Sequence, residues 1–280
     1  MADEWTALVT GASSGIGYHL ARELAKHGHP VIIVAPLQAE LDNVAAEISG
    51  TYGVNVTPIA EDLEDPEAPG RIFQQLLVAD REVDILVNNA GHGQWGRFWE
   101  IDVERHLSII RLNIEAVVRM TALFLPEMIR RNRGRVLNTA SIAGFEAGPL
   151  LGVYHASKAF VLSLTESLAV ETEETEVRVT ALCPGATDTD FFAKADMENT
   201  RAFQESSLMA PQDVAEAGYK AMMKGDSVII PGMMNKAMIF TRRVLSESAQ
   251  AHKNEALYQE VPPSKRRRVR GEKEAAAEQE

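Results

Sequence analysis

The sequence predicts an α/β fold: a doubly wound parallel sheet of about seven strands with helices on both faces. Three observations carry this. Short apolar, β-rich runs alternate with helix-length amphipathic segments along most of the chain. Several runs are continuously apolar, as strands covered on both faces must be. The turn after the first run is rich in glycine, which tight strand-to-helix turns need.

Taken in order, residues 6–10 form the first strand and residues 15–27 a helix. Residues 31–35 are the second strand. Pro36 suits the first turn of a helix reaching residue 49, because that turn leaves its N–H unpaired in any case. Residues 54–60 make the third strand, and 72–78 lie within the third helix. Residues 83–87 are the fourth strand, running into Asn88-Asn89-Ala90-Gly91. One long helical stretch covers 103–130. Strands at 135–139, 177–182 and 227–230 follow, with helices over 154–170 and 211–223. The alternation never breaks, so residues 1–255 read as a single domain. From residue 256 the composition changes. Pro262-Pro263-Ser264 precede Lys265, Arg266, Arg267, Arg268 and Arg270, then an acidic, alanine-rich end. Little apolar surface is available there, so 256–280 are expected to be a flexible charged tail. The basic cluster also resembles a nuclear-import or nucleic-acid patch, against the simpler reading of a solvated, charge-mixed tail.

Composition removes several function classes. Forty acidic against 28 basic residues leave a formal charge of −12, which opposes general nucleic-acid binding and attraction to anionic lipid. No apolar run approaches the length of about 18 residues that a spanning helix requires. The opening MADEW lacks the basic start and apolar stretch of a secretory leader. Cys183 is the single cysteine, so no internal disulfide is expected and a reducing, cytoplasmic setting fits. No cluster has metal-ligand spacing, and no metal is expected.

The first turn reads Thr10-Gly11-Ala12-Ser13-Ser14-Gly15-Ile16-Gly17. Between a strand and a helix, such a turn presents free N–H groups and a positive dipole end to a pyrophosphate. With this Gly-x3-Gly-x-Gly spacing come Asp62-Leu63, Asn88-Asn89-Ala90-Gly91, Asn113, Ser141, the pair Tyr154-x3-Lys158, and Pro184-Gly185 with Thr187 and Thr189. In that order, on that strand–helix map, the chain resembles the short-chain dehydrogenase/reductase family over about residues 5–232.

The resemblance implies a Rossmann-type NAD(P)-binding domain with a built-in substrate site. It implies an oxidoreductase interconverting a secondary alcohol and a ketone or aldehyde, assembled as a homodimer or homotetramer. It assigns cofactor contacts to Gly11, Ser13, Ser14, Gly15, Ile16 and Gly17, to Asp62 and Leu63 at adenine, and to Asn89, Ala90 and Gly91. Tyr154 and Lys158 would hold the ribose, and Pro184, Gly185, Thr187 and Thr189 the carboxamide. The catalytic set would be Asn113, Ser141, Tyr154 and Lys158, with Ser141 polarising the substrate oxygen and Asn113 positioning a water that links Lys158 to solvent. The chemistry of the pair is independently reasonable. A phenol with a pKa near 10 is a poor base at neutral pH. A lysine four residues on shares its helix face, and its charge favours phenolate. A nicotinamide-binding sensor or scaffold without turnover is the alternative, and the intact Ser141, Tyr154 and Lys158 argue against it.

Cofactor choice falls after the second strand, at Val34-Ala35-Pro36-Leu37-Gln38. Neither an acidic residue for the ribose hydroxyl nor an arginine for a 2′-phosphate is present. NADP(H) is favoured on resemblance, with NAD(H) open. His92, Gln94, Trp95, Phe145, Leu150, Phe191 and Phe192 are expected around a largely apolar, partly aromatic substrate, although some of these rings suit the core equally well. His92 and His155 read as packing or solvated residues, with His155 pointing away from the Tyr154 face. Residues 233–245 carry Met234, Ala237, Met238, Thr241 and Leu245 at helical spacing. Packing is the simplest reading, with a partner subunit, a pocket cover or a membrane surface as alternatives.

Overall fold

The computed structural model describes residues 5–241 and 246–272. Among these, β1 (Ala7–Thr10), β2 (Val31–Ala35), β3 (Val56–Ala60), β4 (Ile85–Asn88), β5 (Gly134–Thr139), β6 (Val177–Leu182) and β7 (Val228–Ile229) form one sheet. Its order is β3-β2-β1-β4-β5-β6-β7, and every neighbouring pair is parallel. Ala7 lies opposite both Val31 and Ile85, so β1 is central and the winding reverses between β1 and β4. In such sheets the crevice beyond the strand C-termini at that reversal is where ligands bind.

Successive side chains on a strand point to opposite faces. Val9 and Ile33 therefore pack with Leu20 and Leu24 of α1 (Gly15–Lys26), Leu41 and Ile48 of α2 (Gln38–Tyr52), and Val214 and Met222 of α9 (Pro211–Lys224). Leu8 and Ile32 pack on the other face with Ile72 of α3 (Ala68–Val78) and Met120 and Phe124 of α5 (Ala116–Arg131). Burial of each such side chain stabilises by about 2 kcal/mol. The helix α6 (Gly152–Glu171) lies over the same half, with Val161 and Leu162 against Ala181 and Val117.

Three expectations are corrected. Pro36 sits ahead of α2, whose first residue is Gln38 and whose N-cap is Leu37. The long helix of 103–130 is two helices, α4 (Val103–Ile110) and α5, joined by a π-helical turn over Arg111–Glu115 that carries Asn113. Such turns are rare and concentrate at functional sites. The part of the C-terminal segment that is described is folded, not a free tail. α11 (Glu247–Leu257) is followed by a strap that lies on α7 (Phe191–Lys194) and α8 (Arg201–Gln204). Val261 donates to the Asn199 carbonyl at 2.8 Å, and Gly271 N–H to Asp188 Oδ1 at 3.0 Å. Arg268 donates to the carbonyls of Phe203 and Ser206, and Arg270 pairs with Asp190 at 2.7 Å. With Arg266, whose Nε donates to the Val261 carbonyl at 2.7 Å, at least three cations of the basic cluster face protein partners. The segment near 233–245 begins as α10 (Met233–Thr241), with Met233 and Met234 exposed; Leu245 lies outside the described residues. No helix among the described residues is long and apolar enough to cross a membrane.

Candidate active site

The glycine turn is shaped by contacts that leave no room for side chains. Gly11 and Gly15 have φ of +64° and +57°, in the left-handed region. A Cβ on Gly17 would lie 2.1 Å from the Gly11 carbonyl oxygen and 2.4 Å from Asn89 Nδ2. Asn89 braces the turn from β4, its Nδ2 donating to the Thr10 carbonyl at 3.1 Å. Thr10 Oγ1 in turn accepts from the N–H groups of Asn89 and Ala90 at 2.9 and 3.0 Å. At the start of α1, Ser14 makes no side-chain cap, and the first turn holds no acidic residue. The N–H groups and dipole of that helix end are therefore directed into the crevice. These features fit a dinucleotide: a backbone bare enough to approach a pyrophosphate, and a cleft of about 580 Å³ running past it.

Gly11, Ser13, Ser14, Gly15, Ile16, Asp62, Leu63, Asn89, Ala90, Gly91, Ser141, Tyr154, Lys158, Pro184, Gly185, Thr187 and Thr189 all line this single cleft. Gly17 stands behind the turn as a spacer. Asn88 is directed into the sheet, donating to Asn138 Oδ1 at 2.8 Å and Thr121 Oγ1 at 3.1 Å.

Ser141 lies two residues beyond β5 and caps the turn that follows, its Oγ accepting from Ala143 N–H at 3.1 Å. The same hydroxyl donates to the Pro184 carbonyl at 3.4 Å, and it neighbours the Tyr154 phenol closely enough to weigh on its titration. Lys158, one turn along α6, is buried; its Nζ donates to the Thr139 carbonyl at 2.7 Å and stands 5.8 Å from the Tyr154 ring centre. Burial pushes the Tyr154 phenol up to about 12, with the Ser141 hydroxyl pulling against it. Burial also pulls the Lys158 ammonium down to about 8. The expectation that lysine would lower the tyrosine is therefore not what this geometry produces. Desolvation dominates both groups and favours their neutral forms.

Asn113 does not line the cleft. Its Oδ1 accepts from His92 N–H at 3.0 Å, and its Nδ2 donates to the His92 carbonyl at 2.9 Å and to Ser157 Oγ at 3.0 Å. The π-turn thus pins the backbone that follows β4. Asn113 Oδ1 and Lys158 Nζ also converge on the place a Cβ of Gly91 would fill, at 3.0 and 3.4 Å.

Of the substrate residues expected from sequence, His92, Phe191 and Phe192 line the cleft. Phe191 stacks obliquely on Tyr154 with ring centres 4.9 Å apart. Gln94, Trp95, Phe145 and Leu150 do not line it. Gln94 bonds Asp196 and Arg105, Trp95 donates to the Tyr258 carbonyl, and Phe145 packs beside Val161 and Cys183. Leu150 adopts φ +68° while its carbonyl accepts from Gly96. His155 does reach the cleft wall, contrary to expectation. Glu146, Asn254, Leu257 and Tyr258 line it too, and sequence reading missed them. They come from a loop and from beyond residue 250, where no motif marks them. Among the described residues, no group of three or more His, Cys, Asp or Glu side chains is placed to hold a metal.

A doubly wound parallel sheet whose switch-point cleft joins a bare glycine turn to a Ser–Tyr–Lys set defines a Rossmann-fold oxidoreductase. The short chain dehydrogenase family matches residues 5–200 of the chain. An NADP-dependent 3-hydroxy acid dehydrogenase of Schizosaccharomyces pombe is 30% identical over 234 residues, 81% of this chain and 90% of that protein. The bovine dehydrogenase/reductase SDR family member 4 is 31% identical, over 82% of this chain and 87% of its own. A solved short-chain dehydrogenase from Sphingobium yanoikuyae in complex with NADPH superposes with a TM-score of 0.77 at 30% identity, covering 86% of this chain and 94% of its own. One from Burkholderia phymatum in complex with NAD gives 0.79 at 26% identity, with the same coverages of 86% and 94%. The chain belongs to the short-chain dehydrogenase/reductase family.

Proposed function

We propose that the protein interconverts a secondary alcohol and a ketone or aldehyde with a nicotinamide nucleotide, using Tyr154 as the acid/base. The observation that carries this is the meeting of Ser141, Tyr154 and Lys158, with Lys158 Nζ 5.8 Å from the Tyr154 ring centre, in the cleft that the glycine turn opens. A nicotinamide nucleotide held there by the residues from Gly11 to Gly17, by Asp62, and by Pro184 to Thr189 would supply or accept the hydride. In the reducing direction, Ser141 donates a hydrogen bond to the carbonyl oxygen, which strengthens as charge gathers on it. Tyr154 gives its proton to that oxygen, and the O–H bond formed there replaces the phenolic one broken. Phenolate is costly in a buried site, and a protonated Lys158 offsets that cost. Asn113 positions these groups by fixing the backbone at His92 and the hydroxyl of Ser157. Both nucleotides are accepted, NADP(H) in preference. The S. pombe relative and the NADPH complex support this, and the second strand ends at Ala35-Pro36 with no acidic residue of its own, while the nearby Glu61 is paired with Arg71. A homodimer or homotetramer acting in the cytoplasm is part of the same reading.

The test is the loss of reduced-nicotinamide absorbance with NADPH and NADH in parallel against a panel of ketones and aldehydes. Tyr154→Phe is expected to lower kcat by about 10²–10⁴-fold. Turnover that survives in this variant sinks Tyr154 as acid/base. Nucleotide binding without turnover of any carbonyl favours the sensor.

A further inference from the structure

His155, Glu146 and Tyr258 form a stretch of the cleft wall that proton transfer at Tyr154 does not use. The His155 ring occupies space that only a glycine at 148 leaves free, since a Cβ there would lie 2.1 Å from its Cδ2. Its Nδ1 is 2.7 Å from the Glu146 carbonyl oxygen, and its Nε2 is 2.8 Å from Tyr258 Oη. A carbonyl can only accept, so Nδ1 carries the hydrogen. Burial holds the imidazole below its ordinary range, against the pull of the Glu146 and Ala143 carbonyls, and the ring stays neutral. Nε2 is then bare, and the Tyr258 hydroxyl must donate to it. With its one hydrogen spent, the Tyr258 oxygen has only lone pairs left to offer the cleft.

This oxygen is held firmly. The Tyr258 carbonyl accepts from Trp95 Nε1 at 2.8 Å. One turn earlier, Asn254 Nδ2 donates to Glu146 Oε2 and to the Ala147 carbonyl, each at 2.9 Å. The Tyr154, His155 and Tyr258 rings follow one another, with centres 6.2 and 5.6 Å apart, and both tyrosines belong to one apolar cluster of the cleft wall. The neighbouring wall residues Leu151, Phe191 and Leu257 are apolar, and the nearby Glu146 carboxylate already accepts from Asn254 through Oε2.

We propose that Tyr258, oriented by His155, is a specificity residue that accepts a hydrogen bond from a second hydroxyl on the substrate, making hydroxy ketones and the matching diols the preferred class. The word substrate here rests on the reaction assigned to Tyr154. An acceptor whose own hydrogen is already committed discriminates against the analogue that lacks the donor, because it is then left unpaired.

The test compares matched pairs: acetone with hydroxyacetone, butanone with 4-hydroxybutan-2-one, and acetophenone with α-hydroxyacetophenone. Affinities are read by calorimetry on the full chain carrying Tyr154→Phe, with and without NADPH, and kcat/KM is read on the chain with Tyr154 intact. The hydroxylated member of at least one pair is expected to be favoured about tenfold, and Tyr258→Phe, which keeps the ring, should erase that preference. His155→Leu frees the phenolic hydrogen, so α-methoxyacetophenone should gain on α-hydroxyacetophenone. No preference in any pair, including no binding by either member, overturns the proposal; so does a preference that survives Tyr258→Phe. An affinity preference found without turnover leaves Tyr258 as the acceptor and removes the reaction instead.

Discussion

Lys158 is a cation placed where burial and charge conflict. Its ammonium has the Thr139 carbonyl as a partner at 2.7 Å, and no carboxylate pairs with it among the described residues. Burial lowers it from the ordinary lysine value of 10.5 to about 8. Below about pH 8 the group is charged in both folded and unfolded chains, and the folded state bears the desolvation penalty. Between about 8 and 10.5 the unfolded chain alone holds the proton, so stability rises with pH across that window. At pH 9.5 the gain from this group is about 2 kcal/mol relative to pH 7.5. Lys158→Met, which keeps an unbranched apolar stem, should abolish it. Urea midpoints at the two pH values for wild type and variant measure the difference directly. Tyr154 and Tyr258, whose phenols burial raises, titrate in both proteins and cancel. Parallel pH profiles would mean that Lys158 is better solvated than its 5% exposure implies.

At the scale of elements, the β1–α1 turn depends on a glycine for space. Gly17 has an ordinary helical conformation, yet a Cβ there would strike the Gly11 carbonyl and Asn89 Nδ2, both fixed by the sheet. Gly17→Ala should therefore destabilise the chain by about 1–3 kcal/mol and displace the turn from its pyrophosphate-binding shape. The checks are a thermal midpoint and a nucleotide titration by fluorescence. Unchanged nucleotide affinity would show that the turn moves without cost. This turn was legible in the sequence because its chemistry needs particular residue types at fixed spacing, and so were Ser141, Tyr154 and Lys158. β2, a continuous apolar run between Pro30 and Pro36, and β6, whose β-branched and apolar run stops at Cys183-Pro184, were read to the residue. The π-turn was not legible: one extra residue in a helical turn barely disturbs the apolar period that marks 103–130 as helix. Nor could aromatic content say which rings face the cleft. Phe191 and Phe145 look alike in sequence, yet one touches Tyr154 and the other is packed on Cys183. The docked strap escaped notice for a different reason. Several of its holdfasts are backbone carbonyls, at Asn199, Phe203 and Ser206, and carbonyls have no signature in composition.

At the scale of the whole molecule, the C-terminal segment closes the substrate half of the cleft around a small core of its own. Phe192, Met197, Phe203, Leu208 and Tyr258 pack together with Leu151, so α7, α8 and the end of α11 share one apolar cluster apart from the two that flank the sheet. The strap adds polar ties across this cluster. Thr200 pairs with Glu260 in an antiparallel bridge, Arg201 N–H donates to the Gln259 carbonyl at 3.0 Å, and Arg270 reaches Asp190 at the start of α7. The nucleotide half, built on the glycine turn and β1 to β3, shares none of these ties. Removing residues 261–280 should therefore loosen the segment from Asp188 to Ser206 while leaving the sheet intact. We expect kcat/KM for a carbonyl substrate to fall about tenfold, chiefly through KM, as expected when a covering segment is no longer held closed. Nucleotide affinity should stay within about threefold, and amide exchange should accelerate in 188–206 but not in β1 or β4. The charge pair has a separate signature: Arg270→Ala should reproduce only a small part of the loss, since an exposed ion pair contributes about 0–1 kcal/mol. Equal catalysis in the truncated and full chains, with unchanged exchange over 188–206, would show that the strap rests on this segment without holding it.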